Sequence, residues 1–141
     1  MPHNPILRLK RAYLATRKAM DESLADYNLT AAQFDILLYL WEQDGETQRA
    51  IQEYLGVTSG TLSGLVDSLV AAGYLEQRLN EADTRVKQLF LTPRAWKLRE
   101  ELDGVSQQFF SQFFDGFSPT EAALLIEWLG RVAANMGGKE A

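Results

Sequence analysis

The sequence predicts a mainly α protein with one small β-hairpin, and three observations predict it. Apolar residues recur at helical spacing through most of the chain. One polar segment, Asn80 to Arg85, separates two short runs of strand composition. Helix-capping residues stand at the boundaries between the apolar stripes.

The elements follow in order. Asn4 caps a first long helix with Pro5 at its first position, where a missing N–H costs nothing. Ile6, Leu9, Tyr13, Met20 and Leu24 form its apolar face, Arg17 interrupts that face, and Leu7 and Leu14 make a weaker second stripe. Thr30 caps a second helix, from Ala31 to about Gln43, that is apolar nearly all round and so central. Asp44-Gly45 stops it. Thr47 opens a short third helix with Ala50, Ile51, Tyr54 and Leu55 inward, ended by Gly56. Thr58 or Ser59 caps a fourth, running to about Ala72, with Leu62, Leu65, Val66 and Leu69 on its inner face. Its outer face carries only small residues and Asp67, and its two mid-helix glycines cost about 1 kcal/mol each relative to alanine. Strands are expected at Leu75–Leu79 and Lys87–Leu91. Thr92-Pro93 then starts a long helix whose stripe runs Leu98, Leu102, Val105, Phe109 and Phe113, and Ser118-Pro119-Thr120-Glu121 is a capping box for the last.

Composition removes several functions. Cysteine is absent, so disulfides, thiolate metal sites and thiol nucleophiles are excluded. The single histidine, His3, leaves no material for a Ser-His-Asp triad or an imidazole metal site. No nucleophile–base pair or phosphate loop is present, so no enzymatic activity and no cofactor are expected. No apolar run approaches the ~20 residues of a membrane span and no signal peptide opens the chain, so a cytoplasmic location is expected.

Helix, short helix, turn, helix and hairpin is the order of a winged helix-turn-helix. The terminal helices are too apolar to be left in water. Five phenylalanines from Phe109 to Phe117 exceed what one monomeric helix buries, so a homodimer is expected. The chain is accordingly divided into an N-terminal dimerisation helix (1–29), a DNA-binding lobe (30–92) and C-terminal dimerisation helices (93–141). A recognition helix offers its N-terminal residues to base edges in the major groove. That position falls to Ser59, Gly60, Thr61, Ser63 and Gly64, and Arg78 is a candidate phosphate partner.

The spacing of several segments carries a family resemblance: Leu29-Thr30 with Gln33 and Leu37; Val57 through Leu69; Ala72-Gly73-Tyr74-Leu75 through Arg78; and Asp83-Thr84-Arg85 followed by Leu91-Thr92. Together they resemble the MarR family of transcription regulators over Leu29 to Leu98. The resemblance implies a sequence-specific DNA-binding repressor acting on double-stranded DNA with a pseudo-palindromic operator. It assigns Asp83 to orient Arg85 for the minor groove. It also implies a small aromatic or phenolic anion between the dimer helices and the DNA lobe. Tyr13, Arg17, Phe34 and Leu38 are the candidates for that site, because the first two helices should meet there. Arg17 has a second reading, an internal ion pair with Asp21 one turn on.

The charge pattern opens an alternative. Residues 30–92 hold four basic residues against nine acidic ones, a balance of −5 that equals the formal charge of the whole chain. Phosphate neutralisation dominates DNA affinity, so an acidic lobe also fits a winged-helix protein–protein adaptor with weak or lost DNA binding.

Overall fold

In a computed structural model of the chain, which describes residues 3–138, each cap foreseen from the sequence is formed. Asn4 Oδ1 accepts from the Ile6 and Leu7 amides at 2.8 and 3.3 Å and opens α1 (Pro5–Leu24). A 3₁₀ turn (Ala25–Tyr27) and left-handed Asn28 lead to Thr30, which forms a full capping box with Gln33 on α2 (Ala31–Glu42). Thr47 caps α3 (Gln48–Leu55), and Thr58, not Ser59, caps α4 (Ser59–Ala71). The hairpin is β1 (Leu75–Leu79) antiparallel to β2 (Lys87–Leu91), with Leu75 opposite Leu91 and Leu79 opposite Lys87.

The long helix expected from Pro93 is two. Helix α5 (Pro93–Glu101) stops at Leu102, where ψ opens to −5°, and α6 (Asp103–Phe113) restarts with an acidic first residue. Asp103-Gly104 supplies the reason. Glycine is a poor helix interior residue, and aspartate favours the start of a helix over its middle. Ser118 and Glu121 form the second capping box at the head of α7 (Pro119–Asn135).

Two compact units part between Val105 and Ser106. In the first, Ile36, Leu37 and Leu40 of α2 are fully buried with Ile51 of α3, Leu62 and Leu69 of α4 and Leu89 of β2. Trp41 joins them, its indole N–H donating to the Ala95 carbonyl at 3.2 Å and its ring edge-on to Phe34. Helix α2 is thus the post around which the other elements pack. Tyr54, expected inward, instead lies 54 % exposed against the ring of Tyr39.

The α2–α3 connection is tied to the hairpin by contacts the sequence did not announce. Asp44 accepts from the Leu91 amide at 2.8 Å, Gly45 and Glu46 exchange backbone bonds with Leu89, and Thr47 pairs with Gln88 as a one-residue bridge. Gly45 has φ +82°, and a Cβ there would stand 2.9 Å from the Phe90 ring, so glycine is required twice over. These bonds fix the wing relative to α3.

In the second unit, α7 buries none of its described residues within the single chain. Phe110, Phe113, Phe117, Ile126, Trp128 and Leu129 all remain substantially exposed.

Candidate nucleic-acid interface

Helix α4 presents the face that the sequence singled out. Ser59, Gly60, Thr61, Ser63 and Gly64 are all exposed, while Leu62, Val66 and Leu69 anchor the opposite side. Thr58 Oγ1 accepts from the Thr61 amide at 3.2 Å and donates to its hydroxyl at 2.9 Å, so one cap hydroxyl orders the start of the helix. A Cβ at Gly60 or Gly64 would meet nothing within 4 Å. The fold does not need glycine at either position. Both carry a cost in helix propensity that no contact within the chain offsets.

The wing is an ordered loop. Asn80 Oδ1 accepts from the Ala82 and Asp83 amides at 2.8 and 3.1 Å, and the Asn80 amide donates to the Val86 carbonyl at 2.8 Å. Asp83 then holds Arg85 by three bonds: Oδ1 takes the Arg85 amide at 3.0 Å and Nε at 3.1 Å, while Oδ2 takes Nη2 at 3.2 Å. Those bonds hold the Asp83 carboxyl below its usual pKa, the side-chain bond from Arg85 contributing most and its backbone amide next. The Arg85 side chain is 90 % exposed all the same. The guanidinium is thus exposed to solvent yet fixed at its root by Asp83.

Arg78 is less available. Its guanidinium lies 4.2 Å from the Phe90 ring centroid and donates twice to Glu76, at 3.2 and 3.1 Å. The same bonds lower the Glu76 pKa and raise that of Arg78. It sits within β1.

The four candidates for a small-anion site are only partly brought together. Arg17 pairs with Asp35 of α2, by bonds of 3.0 Å from Nη1 to Oδ1 and 2.9 Å from Nη2 to Oδ2. Asp21, the partner foreseen, instead accepts from the Ala31 amide at 2.7 Å at the start of α2. The bond to Asp35 raises the Arg17 pKa. Tyr13 lies beside Arg17, 5.9 Å from ring centroid to guanidinium, and is 59 % exposed. Leu38, one turn beyond Asp35, is exposed, whereas Phe34 is turned into the core against Trp41.

Sequence reasoning missed the polar face of α3. Gln48, Arg49 and Gln52 line an open groove of about 870 Å³ shared with Asp83, Arg85 and Lys87 of the wing. Arg49 was the available signal, the only basic residue between Thr30 and Gln77.

Comparison with known proteins agrees with this fold. A family model described as the MarR family matches residues 27–86. The HTH-type transcriptional regulator TtmR of Methylorubrum extorquens is 34 % identical over 86 residues, which span 61 % of this chain and 44 % of that protein. An uncharacterized HTH-type transcriptional regulator of Bacillus cereus is 30 % identical over 135 residues, 95 % of this chain and 90 % of its own length. A solved structure concerned with regulation of DNA binding of Bordetella bronchiseptica BpsR by 6-hydroxynicotinic acid superposes with a TM-score of 0.84. It is 26 % identical and covers 93 % of this chain and 94 % of that one. A winged helix with these segments in this order, matched by the family's model over its central residues and by a regulator along nearly its whole length, belongs to the MarR family of transcriptional regulators.

Proposed function

We propose that the chain is a homodimeric DNA-binding repressor that reads a pseudo-palindromic operator with α4 and grips the adjacent minor groove with the wing. The observation that carries this reading is Arg85, fixed by Asp83 yet exposed to solvent, in a chain whose α4 also shows a face of small residues. Two recognition helices of a dimer lie about one DNA turn apart, roughly 34 Å, which accounts for operator symmetry. By role, residues 1–29 and 93–141 serve dimerisation and 30–92 serve DNA. The outermost residues of both terminal ranges, 1–2 and 139–141, lie outside the described residues. The activity is binding rather than catalysis, and a repressor acting on DNA works in the cytoplasm. Among the described residues no helix is long and apolar enough to cross a membrane.

Arg85→Ala tests the wing. It is expected to weaken binding about 5- to 50-fold on every duplex, the loss of one charge-assisted contact per protomer. Asp83→Ala is expected to weaken it less, since the arginine survives but is no longer aimed. Fluorescence anisotropy with both variants checks this, and unchanged affinity in both would remove the wing from the interface and favour the adaptor reading.

The aromatic anion of the family enters here as a competitor. Arg17 is already bound by Asp35, so a carboxylate ligand beside Tyr13 has to displace Asp35 and thereby loosen α1 from α2. The coupling equals its differential affinity for the two arrangements, typically ~1–3 kcal/mol. Titration with salicylate or 6-hydroxynicotinate is expected to lower the DNA affinity of the wild type and leave Arg17→Ala unmoved. An equal response in Arg17→Ala would place the ligand elsewhere.

A further inference from the structure

Three of the four basic residues in the stretch 30–92 line a single groove. Arg49, Arg85 and Lys87 face it between the start of α3 and the tip of the wing, with only Glu53 and Asp83 as carboxylates. Three cations against two anions leave +1 there, and −6 for the rest of a stretch that totals −5. Cationic charge confined to a cleft attracts anions even on an acidic protein.

We infer that this groove takes the DNA strand running between the major groove entered by α4 and the minor groove entered by the wing. Arg49 and Lys87 are its phosphate partners, and Glu53 is a carboxylate that holds Arg49 back in the free protein. The inference rests on the DNA-binding reading above. In a helix-turn-helix the first helix crosses the sugar-phosphate backbone while the second lies in the major groove. With the wing in the neighbouring minor groove, the strand between the two passes the start of α3. Thr47, Gln48 and Gln52 line the same space with hydrogen-bonding groups suited to phosphate and sugar.

The two arginines of the groove are prepared differently. Arg85 is held on three bonds and aimed. Arg49 makes one long contact, Nε to Glu53 Oε1 at 3.3 Å, with the two side chains 88 % and 62 % exposed. Such an exposed pair, one helical turn apart, is weak and screened by salt. A phosphate at Arg49 therefore displaces Glu53 easily, but leaves a carboxylate facing the DNA. Lys87 enters none of the ion pairs among the described residues and needs no such exchange.

Anisotropy of the full-length protein on a labelled duplex from the DNA flanking its own gene, and on an unrelated duplex, between ~50 and ~200 mM salt, tests the groove. Arg49→Ala and Lys87→Ala are each expected to weaken binding about 3- to 10-fold on both duplexes alike. Each should also flatten the slope of log affinity against log salt by about one per replaced side chain. Glu53→Gln is expected to tighten binding about 2- to 5-fold, and to lose most of that gain when combined with Arg49→Ala. If Arg85→Ala weakens binding while Arg49→Ala, Lys87→Ala and Glu53→Gln all keep wild-type affinity and slope, the groove reading falls and the DNA reading stands. If the wild type binds neither duplex at ~50 mM salt, both fall.

Discussion

A chain carrying Phe113→Glu and Leu129→Glu is expected to sediment as a monomer at micromolar concentration. It is expected to lose about 10²–10⁴-fold in affinity for a duplex with two half-sites. The loss is that large because a dimer's second recognition helix binds its half-site intramolecularly, and a monomer forgoes that gain. The reason to expect a dimer is what α6 and α7 leave in water. Phe110, Ile126, Trp128, Val132 and Met136 are between 48 and 79 % exposed in the single chain. On α1, Ile6, Leu7, Leu9, Tyr13 and Leu14 are exposed as well. Burying a large apolar side chain is worth about 1.5–3 kcal/mol, and obligate dimer interfaces of this character exceed ~2,000 Å². In an isologous pair each introduced carboxylate is present twice and meets a dry, unpaired environment. Phe113 and Leu129 are themselves 38 % and 42 % exposed, so neither substitution buries a charge in the core of the single chain. An unchanged far-ultraviolet spectrum would show that the fold survives. A double variant that stays dimeric and binds DNA normally would sink the assignment of these helices to the interface.

What the sequence made legible follows from how local each signal is. Caps at Asn4, Thr30, Thr47, Thr58, Thr92 and Ser118 are decided within four residues, and all six are formed. The strand limits were readable because Asn80 to Arg85 cannot continue a ladder with Leu75–Leu79. Three features were not readable, each for a physical reason. The stop at Leu102 comes from a weak propensity at Asp103-Gly104 that an apolar stripe running through it concealed. Arg17 bonds to Asp35 rather than Asp21 because an interhelical bidentate geometry is available once α1 and α2 pack, and spacing within α1 says nothing of it. Tyr54 sits outward because Tyr39 offers a ring to pack on, although the helical period points it inward. The site divides the same way: the α4 face and the Asp83–Arg85 pair are local, while the groove joins α3 to a wing more than thirty residues later.

Trp41→Ala is expected to cost about 3–5 kcal/mol of stability, the largest effect foreseen from one core substitution. Trp41→Phe is expected to cost less, about 1–3 kcal/mol, for the lost bond and the smaller ring. The difference separates two roles of the indole. Its bulk fills the space between α2 and α5, edge-on to Phe34 at 5.8 Å, and alanine would empty that space. Its N–H makes one bond, to the Ala95 carbonyl at 3.2 Å, and phenylalanine would lose that bond but only part of the bulk. Guanidinium unfolding at fixed protein concentration checks both values, since a dimer's midpoint depends on concentration. The emission spectrum adds an independent test. Trp41 is 8 % exposed against 39 % for Trp96, so Trp41→Phe should remove a blue-shifted component of the emission. The stability measurement also separates core packing from a role in lining a ligand cavity. A cavity-lining tryptophan would cost little to truncate in the absence of ligand, and its loss would abolish the response to aromatic acids. A core tryptophan does the reverse: stability falls steeply, while any fraction still folded keeps both its operator and its ligand response. A cost below about 1 kcal/mol for Trp41→Ala would therefore overturn the packing role argued for α2.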